Sequence, residues 1–368
     1  MNRVIGLINL EEDRQLIKEI TTDRPIATVP FAGRYRLIDF ILSNMVNSGI
    51  INVGILLPQK FGSVLDHIRS GKDWDLARRH EGLFYLPPVC AKNDSASCEL
   101  STFYKNIDFM KKSTQDYVLL SGGHTVFNMN FNNALRFHQN TNSDITIIYH
   151  KATHESSAPC TVLQCKENGL ITDIANHSAS YNDANISMGI YLMSRKTFID
   201  IVEYAYERGG CDFLLDGIMR LHNKYNVYGY NYSGYVSTIN SIHDYYKTNM
   251  DLLNPQIWQE LFMDNSLIYT RTKNDIPAQY KSKAKVQNSL IANGCIIEGT
   301  VSNSILFRDV KIAKGAEIKN SIIMQGCTIN EDALVENVIC DKSVTISPQK
   351  WLKGAINYPF IVEKNTVI

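Results

Sequence analysis

The chain carries no excess of either charge: Lys plus Arg and Asp plus Glu both number 37 in 368 residues, for a formal net charge of zero. A nucleic-acid binder normally shows a basic surplus or stripe, so that class is not expected. No apolar run approaches the roughly 20 residues of a membrane span. The opening Met1–Gly6 stretch is too short for a secretory h-region, and Glu11, Glu12 and Asp13 follow at once. A cytoplasmic location is therefore expected. The eight cysteines include no CxxC pair and no tight cluster. They read as small buried hydrophobes in a reducing compartment, neither a disulfide framework nor a zinc site.

What is present is apolar patterning, with hydrophobic residues at 44%. Val4–Leu10, Val53–Leu57, Tyr117–Leu120, Ile145–Tyr149 and Ile190–Met193 are strand candidates. Amphipathic stretches at Leu37–Ser48, Phe103–Lys112 and Asn132–Asn140 alternate with them. That alternation predicts an α/β domain with a mainly parallel sheet over residues 1–250, with ligands beyond the carboxyl ends of its strands. Asn254-Pro255 and Ile276-Pro277 punctuate residues 251–280, which read as a linker.

From about residue 281 a repeat takes over. Asn288-Ser289-Leu290-Ile291 returns at Asn303, at Asn320 and, more loosely, at Asn337, at intervals of 15, 17 and 17 residues. Aliphatics step by six from Leu290 to Ile296, from Ile312 to Ile318, and through Ile323, Ile329 and Val335. Three six-residue sides per coil predict a triangular parallel β-helix of about 18 residues per turn over 281–368. Hexapeptide β-helices also form acyltransferases, which need a histidine base on a loop. The last histidine here is His243, ahead of the repeat, so a packing and oligomerising role is the expectation.

Several strings give the chain a resemblance. Pro30-Phe31-Ala32-Gly33-Arg34-Tyr35-Arg36-Leu37-Ile38-Asp39-Phe40 is similar to PFGGKYRIIDF of the ADP-glucose pyrophosphorylases, which make ADP-glucose from ATP and glucose 1-phosphate. Leu42-Ser43-Asn44, Val46–Ile50, Gly71–Leu76, Tyr104–Phe109 and Ser187–Tyr191 resemble that family's LSN, VNSGI, GKPWDL, YQNIDF and ASMGIY in the same order. The resemblance implies a Rossmann-like nucleotidyltransferase domain with a mixed, mainly parallel sheet, followed by a left-handed parallel β-helix.

Nucleotidyl transfer brings two anions together while negative charge builds on phosphorus, so the site needs backbone donors, cations and a metal ion. Against the family's motifs these groups are missing. The phosphate loop GGxGxRL corresponds to Glu11-Glu12-Asp13-Arg14-Gln15-Leu16-Ile17, with Glu11 in place of the first glycine and Leu16 near its end. Acidic side chains there repel a triphosphate. The lysine of RAKPAVPF corresponds to Ile26, and no lysine lies between Lys18 and Lys60. The magnesium aspartate of SGDH is Gly123, and the second aspartate, from GYWKDVGT, is Thr238. The sugar-phosphate lysine of FxEKP is His177, and the adenine-side WYKGTANA has no identity with Ser95–Thr102. His124, beside Gly123, reads as a locally satisfied histidine.

The resemblance thus implies a chain with no catalytic residue, no metal ligand and no cofactor of its own. It is similar to the non-catalytic regulatory companion that pairs with a competent pyrophosphorylase in many Gram-positive bacteria. That implies a heterotetramer with a catalytic subunit, or a homo-oligomer when alone. Arg34 and Arg36 fall where the family's basic residues meet sugar-phosphate effectors, while salt bridges, for instance to Asp39, are the other reading. A weakly active nucleotidyltransferase and a free-standing sugar-phosphate sensor are the competing functions.

Overall fold

The computed structural model describes residues 3–11, 17–88, 98–152, 160–177, 183–221, 224–356 and 358–368. Strand β1 (Val4–Asn9) is buried along its whole length, as a strand must be when both its faces are covered. It runs parallel to β2 (Asn52–Leu56), which carries β3 (Gly82–Leu86) on its far side, and to β4 (Tyr117–Gly122) on its other edge. Strands β5 (Ile145–Lys151), β6 (Cys160–Cys165), β7 (Ile171–His177), β8 (Asn185–Ser194) and β9 (Val227–Asn231) complete a nine-stranded mixed sheet. Its main path runs β7-β6-β8-β4-β1-β2-β3, with β5 pairing both β8 and β9. The long β8 lies antiparallel to β4, β5 and β6, and this makes the sheet mixed.

Helices α1 (Ile38–Asn47), α2 (Glu99–Lys105), α3 (Ile107–Lys112) and α4 (Asn132–Asn140) fall at the amphipathic stretches, and α5 (Arg195–Glu207) and α6 (Ile242–Asp251) lie beyond them. The single helix expected over Phe103–Lys112 starts earlier and breaks at Asn106 (φ −100°, ψ 11°), whose side chain donates back to the Thr102 carbonyl at 3.0 Å. Asparagine competes with the helix for backbone partners in just this way. One side of the sheet is closed by an aromatic cluster. Phe103, Phe198 and Phe213 have ring centroids 5.5 to 5.6 Å apart. No helix among the described residues is long and apolar enough to cross a membrane.

The chain forms two compact units. The first comprises Met1–Asp13, Phe40–Val236 and Ser266–Tyr269; the second comprises Arg14–Asp39, Ser237–Asn265 and Thr270–Ile368. Within 251–280, read as a linker, Pro255–Gln259 is helical and Glu260–Asp264 continues as a π-helical turn.

In the second unit, three five-stranded parallel sheets form the left-handed β-helix. Leu290 pairs with Ile305, Ile305 with Ile322 and Ile322 with Ile339, so the repeat intervals are the register of the coils. A full coil is 17 residues, not 18: Lys311 faces Thr328, which faces Thr345. The recurring Asn-Ser pair makes the corner. Asn288, Asn303, Asn320 and Asn337 all have positive φ, between 42° and 54°, a region asparagine tolerates better than most residues. The next serine builds a ladder: its hydroxyl accepts the backbone N–H of the coil above, from Ser289 to Ser304, Ser304 to Ser321 and Ser321 to Val338, at 3.0 to 3.1 Å. Inside, Ile312, Ile318, Ile323, Ile329 and Val335 are all buried, as the six-residue step requires.

Ser321 is fully buried, and its hydroxyl also donates to the Lys319 carbonyl at 2.7 Å. Ser321→Ala strands the Val338 N–H, and we expect it to lower stability by about 1–3 kcal/mol. Denaturant titration followed by circular dichroism measures this; a variant as stable as the parent would show that the ladder is dispensable.

Candidate functional site

The carboxyl ends of the parallel strands are where this fold type holds ligands. At the end of β1, Asn9 is 8% exposed and lies opposite Leu56 on one side and Gly122 on the other. Its side chain is fully engaged. Nδ2 donates to Glu99 Oε1 at 2.7 Å, and Oδ1 accepts the Glu11 N–H at 3.0 Å. The Glu11 carboxylate accepts the Thr102 hydroxyl at 2.7 Å, and the other Glu99 oxygen accepts the Phe213 N–H at 2.9 Å. The strand end is thus stapled to α2 by two carboxylates.

Glu99 keeps an edge exposed, but its carboxyl group lies inside the protein and its pKa is pushed up to about 7. Loss of solvent is the main cause, with Asp212 and Glu11 adding to it against the bonds from Phe213 and Asn9. A site built for a triphosphate would place backbone donors and cations here. Among the described residues, the end of β1 places the Glu11 and Glu99 carboxylates here. Gly123, directly after β4, has no side chain to give a metal.

His124 beside it is half-buried. Among the described residues no group of three or more His, Cys, Asp and Glu side chains is placed to hold a metal ion. Magnesium, which the resemblance brings to mind, does not fit these residues: it wants hard carboxylate oxygens at near-octahedral spacing. His177 ends β7 opposite Cys160. Leu16 lies outside the described residues.

The remaining predicted positions belong to the second unit. Ile26 is buried in a short 3₁₀ turn, Ile26–Thr28. Thr238 is half-buried at the end of Val236–Thr238. Arg34 is exposed, with its guanidinium carbon 5.2 Å from the Tyr35 ring centre, and that ring stacks on Phe262 at 5.0 Å. Arg36 is half-buried, and Asp39 Oδ2 accepts its backbone N–H at 2.9 Å. From α6, the Tyr245 hydroxyl donates to the Pro30 carbonyl at 2.6 Å and Asn249 Oδ1 accepts the Ala32 N–H at 3.1 Å, fixing the loop that carries both arginines.

This loop belongs to a cationic cluster that the sequence did not disclose. Arg24 and Asp341 form a buried ion pair at 2.6 Å. The next residue, Lys342, is half-buried and its pKa is pushed down to about 8, first by desolvation and then by the Arg36, Arg24 and Lys273 charges. Lys273 is lowered by desolvation and by Arg308 and Arg271, and Arg308, paired with Asp275 at 3.1 Å, also feels Arg34. Burial first, and then the neighbouring cations, lower the proton affinity of these side chains. Lys342 and Lys273 sit some 300 residues from Arg36 or in an irregular segment, so no local motif signals them.

Cysteine behaviour also departs from the sequence reading. Cys295, Cys327 and Cys340 are buried in the β-helix as expected, but Cys98, Cys160 and Cys165 are partly exposed and Cys211 is exposed. Cys160 and Cys165 are the end residues of β6, and Cys98 and Cys211 lie in turns of the first unit, where no solenoid core encloses them. Cys90 lies outside the described residues.

Two expectations follow from this geometry. Glu99 has a folded pKa above its unfolded value, so its contribution to stability is complete below about pH 4.5 and is lost as pH rises through about 7. We expect Glu99→Gln to flatten the fall in melting temperature between those values, a fall of roughly 1–3 kcal/mol in the parent. An unchanged pH profile would remove Glu99 as its source. Ala32 has φ 51°, where the similar family string has glycine. Ala32→Gly is expected to raise stability by up to about 1 kcal/mol, read by the same melts; a loss of stability would show that the position is unstrained.

Comparison with known proteins agrees with this architecture. The nucleotidyl transferase family matches residues 16–255, and the family described as GlmU-like, C-terminal hexapeptide, matches residues 275–352. The glycogen biosynthesis protein GlgD of Bacillus subtilis (strain 168) is 34% identical over 367 residues, covering 100% of this chain and 97% of the relative. GlgD of Geobacillus stearothermophilus is 36% identical with the same coverage. Glucose-1-phosphate adenylyltransferase of Geobacillus stearothermophilus is 33% identical over 82% of this chain and 80% of its own length. The chain therefore belongs to the nucleotidyl transferase family, as a GlgD-like glycogen biosynthesis protein related to the glucose-1-phosphate adenylyltransferases.

Proposed function

We propose that this chain is a regulatory, catalytically silent subunit that works through a catalytic glucose-1-phosphate adenylyltransferase partner. The observation that carries the reading is the closure of the β1 end by the Glu11 and Glu99 carboxylates. The Phe213 N–H and the Asn9 amide already donate to the Glu99 carboxylate, and the Glu11 N–H donates to Asn9. Opening the junction to a triphosphate would set anion against anion. Gly123 and Thr238 supply no carboxylate for a metal, so the charge that builds on phosphorus would meet no counter-charge. Loss of even one such stabilising group typically costs about 100-fold or more in turnover.

Regulation needs a sensor, and the second unit supports one. An oxyanion bound by Arg36 and Lys342, with Arg24 and Lys273 behind them, would relieve the mutual repulsion that lowers Lys342. A sugar phosphate fits that chemistry: the phosphate takes the guanidinium and ammonium donors, and the sugar hydroxyls take surrounding polar groups. Such an effector shifts a partner only through a difference in affinity between two states of the complex.

The test is ADP-glucose synthesis by the purified chain, by a competent partner, and by the two co-expressed. We expect the chain alone to run at least roughly 100-fold below the partner, and the mixture to differ from the partner in its response to sugar phosphate. Magnesium-dependent turnover by the chain alone would favour an altered transferase, and unchanged partner kinetics would favour a free-standing sensor. Lys342→Gln should raise the effector concentration for half response about tenfold. In the parent that concentration should climb as pH passes upward through about 8, because binding takes up the proton Lys342 sheds. A response independent of both would remove Lys342 from the site.

A further inference from the structure

Cys98 and Cys211 are 113 residues apart in sequence, and the fold of the first unit sets them side by side. Cys98 immediately precedes α2, and its thiol donates to the Gly210 and Cys211 carbonyls, both at 3.6 Å. The backbone between them is pinned: the Leu100 N–H donates to the Cys211 carbonyl at 3.0 Å. On the other side, Asp216 Oδ2 accepts the Cys211 and Asp212 N–H groups at 2.7 and 3.1 Å. Gly210 has no room for a side chain, since a Cβ there would stand 2.9 Å from the Ala205 carbonyl oxygen and 2.8 Å from the Asp216 Cβ. The backbone thus holds the Cys98 thiol against the Cys211 main chain.

Access separates this pair from the other cysteines. Cys211 is exposed and Cys98 partly so. Cys327 and Cys340, also near each other, are sealed in the β-helix core, and Cys295 and Cys327 give their protons to the Phe307 and Asp341 carbonyls at 3.0 Å. Cys160 and Cys165 sit at opposite ends of β6.

We propose that Cys98 and Cys211 form a reversible disulfide, a redox modification site that locks α2 onto the turn before Phe213. With a peroxide as oxidant, one thiolate attacks the O–O bond to give a sulfenic acid and hydroxide, which takes a proton to become water. The second thiol then displaces water from the sulfenic sulfur. In sum, two thiols and one hydrogen peroxide give one disulfide and two waters, with two electrons passing from sulfur to the O–O bond. A dithiol reverses the bond by thiol–disulfide exchange. Loss of solvent around the sulfur, and then the neighbouring Cys98, push the Cys211 thiol up to about 12, so it stays protonated and serves as the resolving partner.

The bond would close around Glu99, the residue after Cys98, whose carboxylate already ties Asn9 to the Phe213 backbone. Oxidation therefore stiffens the closed strand end. The proposal stands on thiol geometry alone and does not depend on the regulatory reading.

The experiment treats the full chain with hydrogen peroxide, blocks remaining thiols, digests without reductant and maps linkages by mass spectrometry. We expect a Cys98–Cys211 cross-linked peptide, formed about tenfold faster than any change at Cys165 and lost on adding dithiothreitol. Amide exchange over residues 99–102 and 212–215 should slow severalfold on oxidation. In Cys98→Ser and Cys211→Ser the cross-link disappears, and in Cys211→Ser the remaining Cys98 becomes trappable by dimedone. Linkage of either cysteine to a different partner, or oxidation no faster than at Cys165, overturns the proposal. Because the cross-link is read on the parent chain, a variant that folds poorly does not decide the outcome.

Discussion

The first unit turns on one carboxylate. Glu99 joins the end of β1, through Asn9, to the backbone of Phe213, two segments 90 and 114 residues away in sequence. A charged group so enclosed is costly unless its oxygens are used, and both are. Its raised pKa measures the part of that cost left uncompensated. Much follows from its position. The start of α2 is drawn to the strand end, Thr102 comes within reach of Glu11, and Cys98 is delivered to Cys211. The Phe103, Phe198 and Phe213 rings pack directly behind it. Asn9, Glu11, Glu99 and Thr102 are bound to one another.

The second unit shows the opposite electrostatic condition. Arg24 and Asp341 neutralise each other in a buried pair, and Asp275 answers Arg308. Lys342 and Lys273 carry the remaining strain, visible as lowered proton affinity. The first unit gathers acids at the end of its first strand, and the second gathers cations beside a coil of the β-helix.

The β-helix was almost wholly legible in the sequence, because each coil repeats the same physical demand: an asparagine tolerating positive φ, a serine accepting the next coil's N–H, and an aliphatic inside. Only the coil length slipped by one, since the corners are tighter than three equal sides. The central strands were legible as well, being apolar on both faces. The break at Asn106 and the early start of α2 were not, because they depend on where Glu99 and Asn106 find partners. Gly123 and Ile26 could be read as losses against a motif, but Glu99, Lys342 and the Cys98–Cys211 pair could not. Each acquires its meaning from residues far away in sequence, and no local period or spacing records that.

The retained strings have a physical explanation that does not require retained chemistry. In Pro30–Phe40 the side chains of Phe31, Leu37, Ile38, Asp39 and Phe40 are completely buried. Asp39 caps the turn by accepting the Arg36 N–H, and the buried Tyr245 and Asn249 hold the Pro30 and Ala32 backbone. Substituting these positions would cost packing and buried hydrogen bonds whether or not the protein turns over a substrate. The lost residues are of the other kind. A phosphate-loop glycine, a lysine at position 26 or an aspartate at position 123 supports no core, and an unneeded charge at a strand end is itself destabilising. The strings shared with the adenylyltransferases are thus the ones this fold needs for its own packing and its buried hydrogen bonds, whatever chemistry the chain performs.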